Sequence, residues 1–312
     1  MENKKPRIEF YRQRTFSEKL NVIFEFIREN WKPLLKYSFY LLMPVCLIQS
    51  FATNALFDTY ISLVSKTTQD NLFNNSLYSV IANYGIMMLC ILIGAAIMSG
   101  MLYAMMQTYS TRENRLQDVT LNDFKDTLIK NIWKYIRVLL VAMLAYTLII
   151  GIMAFLAYIS IMTFFITIPI FIVFILLLIP LMMIIPVYLF EHDIKLLAAI
   201  KKAWKLGIAT FWGMLGLMFV LYIISSVIQT VTMMPWYLTL FVGTIFSLSS
   251  ESAMNQSFIY KFIVYLLGLV QSFGVYVSVI ISIIGLAFQY FHAREKVEGI
   301  TIESNISNFG EL

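Results

Sequence analysis

The most constraining feature of this sequence is a run, 138–190, that contains no Asp, Glu, Lys, Arg or His. About 20 residues suffice for one helical crossing of a bilayer, so the run predicts two spans, 138–158 and 162–190, joined by a tight turn. Four more apolar runs lie at about 34–57, 80–108, 211–232 and 258–290. A composition of 60% hydrophobic and 13% charged residues lies outside the range of soluble domains. We therefore predict one all-α integral membrane domain over 1–312, a polytopic bundle of six transmembrane helices.

The distribution of positive charge predicts the orientation. Cytoplasmic segments of membrane proteins are enriched in Lys and Arg. If the N-terminus is cytoplasmic, all of the 23 Lys and Arg residues except Lys66 and Lys261 lie on the cytoplasmic side. We therefore expect both termini in the cytoplasm, with 1–14 as a mobile basic arm and 293–312 as a cytoplasmic tail.

Three segments have the pattern of amphipathic helices half sunk at the lipid headgroups. Each places apolar residues on one side and Lys or Arg on the other, and each contains a Trp-Lys pair. The predicted lipid- and partner-binding residues are Trp31, Lys32, Trp133, Lys134, Lys201, Lys202, Trp204 and Lys205.

Local signals mark where these segments begin and end. Thr15-x-x-Glu18 and Thr120-x-x-Asp123 have the pattern of capping boxes, and Pro33 is expected to end the first amphipathic helix. Residues 237–248 are apolar but too few to span, which predicts a short interfacial or re-entrant helix.

The order of these segments predicts an internal repeat. Each amphipathic helix is followed by two spans, in units of about 15–108, 118–190 and 191–292. Because two crossings return the chain to its starting side, every unit enters the membrane in the same direction. We therefore predict three parallel copies, each an interfacial helix plus a transmembrane hairpin.

Three short stretches carry a resemblance to known proteins: Ala199-Ile200-Lys201-Lys202-Ala203-Trp204-Lys205-Leu206 with Phe211-Trp212 after it, Arg14-Thr15-Phe16-Ser17-Glu18-Lys19-Leu20-Asn21, and Phe288-Gln289-Tyr290-Phe291. The chain resembles a group of bacterial six-helix membrane proteins. The group includes the membrane domain of some glycerophosphodiester phosphodiesterases and stand-alone families of unknown function, some from Bacteroidota. The resemblance implies a multi-pass protein of the bacterial inner membrane. It implies no activity, because no phosphodiesterase domain follows residue 290.

Two polar groupings have the composition of chemical sites. Glu191-His192-Asp193 resembles an acid/base or metal cluster, but a helix leaving the membrane needs polar caps at such a point, and we favour the cap. His292 and Glu295 have the i, i+3 spacing of two metal ligands, with nothing nearby to complete a set. We favour a solvated pair, and predict no catalytic residue, cofactor or metal.

Polar and small residues within the spans admit a packing role and a transport role. For Gln49, Gln229 and Gln271 we favour hydrogen bonds between helices over a polar pathway. For the prolines of the fourth span we favour kinks satisfied by neighbouring helices over a hinge. Small-residue faces predict close helix contacts. The prolines are Pro169, Pro180 and Pro186, and the small-residue faces are Ala96 with Gly100, and Gly274, Ser278, Ser282 and Gly285.

The sequence leaves two main functions open, and a third, an enzyme acting on lipid headgroups at the cytoplasmic interface, would need Glu191, His192, Asp193, His292 and Glu295 to converge in space. The favoured one is a non-enzymatic membrane scaffold or accessory subunit, whose interfacial helices bind anionic lipid headgroups at the cytoplasmic face or a membrane or cytoplasmic protein partner. The alternative is a transporter, channel or lipid-handling protein with a path between the three hairpins. No Asp, Glu, Lys, Arg or His falls near the centre of a predicted span, which disfavours proton-coupled transport. The net charge of +5 is expected for a protein whose basic residues meet anionic lipid headgroups, and it does not indicate binding to nucleic acid.

Overall fold

A computed structural model describes residues 6–65, 70–159, 169, 176, 178–191, 193–248 and 257–300. Within these ranges the chain is helical and no strand occurs, which confirms the all-α prediction. Two 3₁₀ turns, Leu121–Asp123 and Ile179–Met183, accompany seven α-helices. The helices are α1 (Phe16–Ser65), α2 (Asp70–Thr111), α3 (Lys125–Ile159), α4 (Ile184–Phe190), α5 (Leu196–Ala209), α6 (Phe211–Leu248) and α7 (Phe258–Glu298).

Five of these helices are long and apolar enough to cross a membrane. These candidate spans are Phe16–Thr59, Leu77–Thr111, Lys125–Leu156, Phe211–Ile245 and Phe258–Glu298. They match five of the six predicted spans. The predicted fourth span and the turn before it lie largely outside the described residues, and its described end, Ile179–Phe190, is a shorter apolar helix.

Helix α1 begins at the predicted cap and bends before the predicted end. The N–H of Thr15 donates to Oε2 of Glu18 at 2.7 Å, and the N–H of Glu18 donates to Oγ1 of Thr15 at 3.4 Å, so the capping box is confirmed. Pro33 does not end the helix. The non-helical residue is Asn30, with φ −116° and ψ 16°. Pro33 causes this bend because its ring clashes with the carbonyl four residues earlier, at Glu29.

A second break separates α5 from α6 at Thr210, with φ −126° and ψ 22°. The Thr210 hydroxyl donates to the carbonyl of Leu206 at 2.9 Å, and its own carbonyl accepts from the N–H of Met214. One residue thus closes one helix and opens the next. By contrast, α3 runs from its amphipathic segment into its span without a break.

The prediction for 237–248 is wrong. Helix α6 continues through Pro235 to Leu248, so this stretch is the end of one long helix. Helices in membranes tolerate proline because neighbouring groups satisfy the freed carbonyl. At 1.5 Å per residue, the 38 residues of α6 exceed the thickness of a hydrocarbon core, so α6 must tilt or project.

The chain divides into two compact units: unit 1 is Met1–Trp31, Ser99–Leu221 and Ile281–Leu312, and unit 2 is Lys32–Met98 and Tyr222–Ile280. In unit 2, polar groups bond between helices. The hydroxyl of Tyr276 donates to Oε1 of Gln49 at 2.6 Å, and the indole of Trp236 donates to Oδ1 of Asn54 at 2.9 Å. The interhelical role predicted for Gln49 is therefore confirmed.

Glycines allow the closest helix contacts in both units. In unit 1, a Cβ added to Gly100 would lie 2.8 Å from Cγ1 of Ile132, and one added to Gly207 would lie 2.5 Å from the carbonyl oxygen of Pro180. Gly285 of α7 packs against Leu221 of α6, and in unit 2 Gly274 packs against Thr232 of the same two helices. The close contacts predicted for Gly100, Gly274 and Gly285 are confirmed.

Candidate functional site

The described part of the basic arm, 6–14, packs within unit 1, where the sequence predicted a mobile arm. Its Phe10 stacks on Tyr109 and Phe291, with ring centroids 5.7 and 4.9 Å apart. The Arg14 guanidinium donates to the backbone carbonyls of Phe10 and Glu9, and the Arg14 N–H donates to Nδ1 of His292 at 3.0 Å. Aromatic stacking and hydrogen bonds therefore hold the arm in place.

Beside the arm, a charge cluster joins the end of α4, helix α5 and the last turns of α7. The Lys202 ammonium lies 2.7 Å from Oε1 of Glu191 and 2.8 Å from Oε1 of Glu298. The Arg294 guanidinium lies 2.8 Å from Oε2 of Glu298. These four side chains are between 14% and 27% exposed, so solvent screens their interactions only in part. We call this group the charge cluster.

Two tyrosines complete the charge cluster. The Tyr290 hydroxyl donates to Oε1 of Glu191 at 3.2 Å. Arg294 donates to the hydroxyls of Tyr290 and Tyr11 and lies over both rings. Burial, with a smaller contribution from Glu191, raises the pKa of Tyr11 above its usual value. The hydroxyl therefore stays neutral near pH 7, which suits its position beside both a cation and an anion.

The predicted interface residues fall into two groups. Lys134 is buried, and its ammonium donates to the backbone carbonyls of Tyr188 at 2.6 Å and Glu191 at 3.1 Å. Lys202 is held in the charge cluster. The other predicted residues lie at the surface. Trp204 is partly buried, and the exposed ones are Trp31, Lys32, Trp133, Lys201 and Lys205.

Helix α5 has one face against the protein and one exposed face. Ala199, Ala203, Leu206 and Gly207 are buried, at the i, i+4, i+7 and i+8 positions of one helix face. On the other face, positions i, i+4, i+7 and i+11 are Leu197, Lys201, Trp204 and Ile208. We call these four residues the α5 stripe. Leu197 is 75% exposed and Ile208 is 51% exposed, so large apolar side chains stand next to a lysine on an open surface.

The two polar groupings proposed as chemical sites have other contacts here. Glu191 is a member of the charge cluster, and His192 lies outside the described residues. Asp193 has a left-handed backbone with φ 58° in the turn before α5, as expected for a helix boundary. His292 accepts the N–H of Arg14, so its Nδ1 is occupied by the arm. Glu295 is buried, so the prediction of a solvated pair is wrong. Among the described residues no three His, Cys, Asp or Glu side chains are grouped to hold a metal ion.

A second capping box orders the loop before α3. The N–H of Thr120 donates to Oδ2 of Asp123 at 2.7 Å, which confirms the predicted box, and Arg112 pairs with the same oxygen at 2.9 Å. The backbone N–H of Thr120 is the main cause that lowers the pKa of Asp123. Nearby, Arg115 lies 2.7 Å from Glu29 of α1, which raises the pKa of the arginine.

Comparison with known proteins finds no matching family, curated protein or solved structure. The site therefore has to be interpreted from its own geometry.

Sequence reasoning missed the docked arm and the role of Arg294. The sequence does contain a sign that the arm is docked. Phe10 and Tyr11 are adjacent aromatic residues within a basic stretch, and aromatic side chains such as Phe are usually buried. Arg294 and Glu298 stand at the i, i+4 spacing of a helical ion pair, which was also visible. Their connection to Lys202 and Glu191 was not visible, because it depends on tertiary structure.

Proposed function

We propose that this protein is a non-enzymatic membrane scaffold or accessory subunit that binds anionic lipid headgroups at the cytoplasmic face of a bacterial inner membrane. The observation that carries the proposal is the α5 stripe. A lysine beside the exposed Leu197 and Ile208 and the partly buried Trp204 suits a helix lying at the headgroup level. The apolar side chains enter the acyl boundary, and Lys201 and its neighbour Lys205 meet phosphate groups.

The rigid attachment of α5 supports a binding surface. Lys202 ties one side of the helix to the charge cluster, and Gly207 sets its backbone directly against Pro180. A preorganised surface loses less side-chain and backbone entropy when it binds lipid. The exposed lysines of α5 are thus presented at fixed positions.

Polar groups within unit 2 support a structural role for the spans over a transport path. Tyr276 donates to Gln49 and to the carbonyl of Cys90, and the Ser50 hydroxyl donates to the carbonyl of Tyr265 at 2.9 Å. These groups form hydrogen bonds between helices, and such bonds stabilise the packing of the spans.

The proposal includes the finer architecture predicted from sequence: six spans, three parallel units and both termini in the cytoplasm. Similar junctions in the first and third units support the repeat, while the second unit has no such break. Asn30 and Thr210 both have φ near −120° and ψ near +20°, and each stands where an amphipathic segment meets a span. Each side chain also bonds to the carbonyl four residues earlier, at Phe26 and Leu206 respectively, both at 2.9 Å.

Lipid retention tests the proposal. The full chain is extracted gently, exchanged into nanodiscs containing phosphatidylcholine and phosphatidylglycerol, and the bound lipid is counted by native mass spectrometry. We expect selective retention of phosphatidylglycerol. Replacing Lys201 and Lys205 by Gln should weaken this retention by roughly tenfold or more, because each lysine near an anionic surface contributes about 1 kcal/mol.

The matched control keeps the charge at the same positions. The variant with Lys201→Arg and Lys205→Arg should retain phosphatidylglycerol as the unaltered protein does. If neither lipid selectivity nor any stable co-purifying protein is found after gentle extraction, the scaffold proposal is wrong.

A further inference from the structure

A cavity of about 900 Å³ lies in unit 1. Its walls are formed by the arm, the end of α2, the first half of α3, the end of α4 and the last turns of α7. The volume falls within the range of small-molecule binding sites. The α5 stripe takes no part in the lining.

The acidic side chains of the lining are already paired. Glu191 pairs with Lys202 at 2.7 Å, and Asp123 pairs with Arg112 at 2.9 Å. Glu9 lies 3.9 Å from Arg12. Of the basic lining residues, Arg294 is paired with Glu298. These pairs leave little negative charge to attract a cation into the cavity.

Three cations of the lining have no such partner. Across the described part of the chain, no carboxylate lies within ion-pair distance of Arg7, Lys130 or Lys134. Arg7 donates to the carbonyls of Tyr109 and Arg112, and Lys134 donates to two backbone carbonyls. Carbonyl groups orient these cations without cancelling their charge. The cavity therefore carries an excess of positive charge.

The cations of α3 are arranged along one face. Thr127, Lys130, Asn131 and Lys134 stand at the i, i+3, i+4 and i+7 positions, so they follow one another along the helix surface. Lys130 is exposed, and its three ammonium protons are available to a ligand. Another part of the lining is apolar and is formed by three aromatic rings, those of Phe10, Phe190 and Phe291.

We propose that this cavity binds a phosphate ester, with its anionic oxygens at Arg7, Lys130 and Lys134 and its apolar portion against the aromatic rings. A planar guanidinium and two ammonium groups are the usual partners of phosphate oxygens in proteins. The ester is either the headgroup of an anionic lipid or a free phosphate ester. The site uses none of the α5 stripe, so it stands independently of the scaffold proposal.

The test measures binding of three probes by titration calorimetry to the full chain in phosphatidylcholine nanodiscs. Dioctanoyl phosphatidic acid represents the lipid, phenyl phosphate represents the free ester, and dioctanoylglycerol lacks the phosphate. We expect at least one phosphate probe to bind and dioctanoylglycerol not to bind. Binding of phosphatidic acid alone identifies the lipid source, and binding of phenyl phosphate as well identifies a site open to free esters.

Lys130→Gln locates the site. Because Lys130 is exposed and has no ion-pair partner among the residues that the structure describes, this variant should fold, and it should weaken phosphate binding by roughly tenfold. Lys125→Gln removes the same charge from an exposed position at the start of α3 outside the cavity, and should leave binding unchanged. Equal loss in both variants, no effect of Lys130→Gln, or no binding of either phosphate probe would overturn the proposal.

One further variant separates the two proposals. The α5 double variant, Lys201→Gln with Lys205→Gln, should bind the phosphate probe like the unaltered chain. Loss of probe binding in that variant would show that attraction by the basic surface as a whole, and not the cavity, is responsible.

Discussion

The ammonium of Lys202 lies 2.7 Å from the carboxylate of Glu191, and the same ammonium reaches Glu298 at 2.8 Å. A lysine on α5 thereby holds two acids from separate parts of the chain, one after α4 and one at the end of α7. This pairing and the contact of Gly207 with Pro180 both hold α5 in place, and so set the direction in which the α5 stripe faces.

The first prediction concerns coupling within the charge cluster. A double-mutant cycle with Lys202→Met and Glu298→Gln should give a coupling energy of about 0.5–3 kcal/mol, because the two groups are partly buried and in contact. Thermal unfolding in detergent measures the free energies. Lys201→Met provides the control cycle with Glu298→Gln, since Lys201 is exposed on the other face, and its coupling should be near zero. Equal couplings in both cycles would contradict the pairing.

The second prediction concerns the contact of α5 with the 3₁₀ turn Ile179–Met183. Gly207→Ala adds a Cβ that meets the carbonyl oxygen of Pro180 at 2.5 Å and its Cα at 2.6 Å. Backbone atoms cannot rotate away, so the variant should lose about 1–3 kcal/mol of stability. Gly213→Ala is the matched control, because its Cβ would lie 3.7 Å from Nζ of Lys19, an ordinary van der Waals contact. A fall in melting temperature for both variants alike would argue against a specific contact.

The third prediction concerns unit 2. Tyr276→Phe removes the hydroxyl that donates to Gln49 at 2.6 Å and to the carbonyl of Cys90 at 3.0 Å. Interhelical hydrogen bonds in membranes contribute about 0.6 kcal/mol on average and up to about 1.7 kcal/mol, and we expect a loss in the upper half of that range. Tyr222→Phe, at a 70% exposed tyrosine, should be neutral. Unfolding of both variants in the same detergent compares them directly.

The fourth prediction concerns orientation. The native cysteines, Cys46 and Cys90, are buried, so an introduced cysteine is expected to dominate labelling by a membrane-impermeant maleimide. In intact cells Lys261→Cys should be labelled and Asn114→Cys should not, because Lys261 is predicted to lie outside and the loop of Asn114 inside. Labelling of Asn114→Cys should appear once the cytoplasmic face is opened. The reverse pattern would overturn the proposed topology.

Local signals in the sequence predicted local structure well. The capping boxes at Thr15 and Thr120, and the close contact at Gly100, follow from residue types at short spacing, and the structure contains all three. Apolar runs likewise located five helices that are long and apolar enough to cross a membrane. In each case the physical cause lies within a few turns of one helix or in the length of one run.

Long-range relationships were not accessible in the same way. Lys134 and Lys201 look alike in sequence, each a lysine on an amphipathic segment. The first is buried, and its ammonium donates hydrogen bonds to the backbone carbonyls of Tyr188 and Glu191. The second remains exposed. Nothing in either local pattern specifies those partners. The continuation of α6 through Pro235 was missed for another reason, since 237–248 was judged by its own length and not as an extension of the preceding helix.

The docking of the arm orders events during biosynthesis. The Arg14 N–H and its acceptor on His292 are 278 positions apart, and Phe10 stacks on Phe291. The arm is synthesised before α7, and α7 supplies part of the surface on which the arm packs. Unit 1 therefore cannot close until α7 has been made, and nascent chains that stop before residue 288 should leave the arm accessible to protease. Burial of the arm thus reports that synthesis has passed through α7.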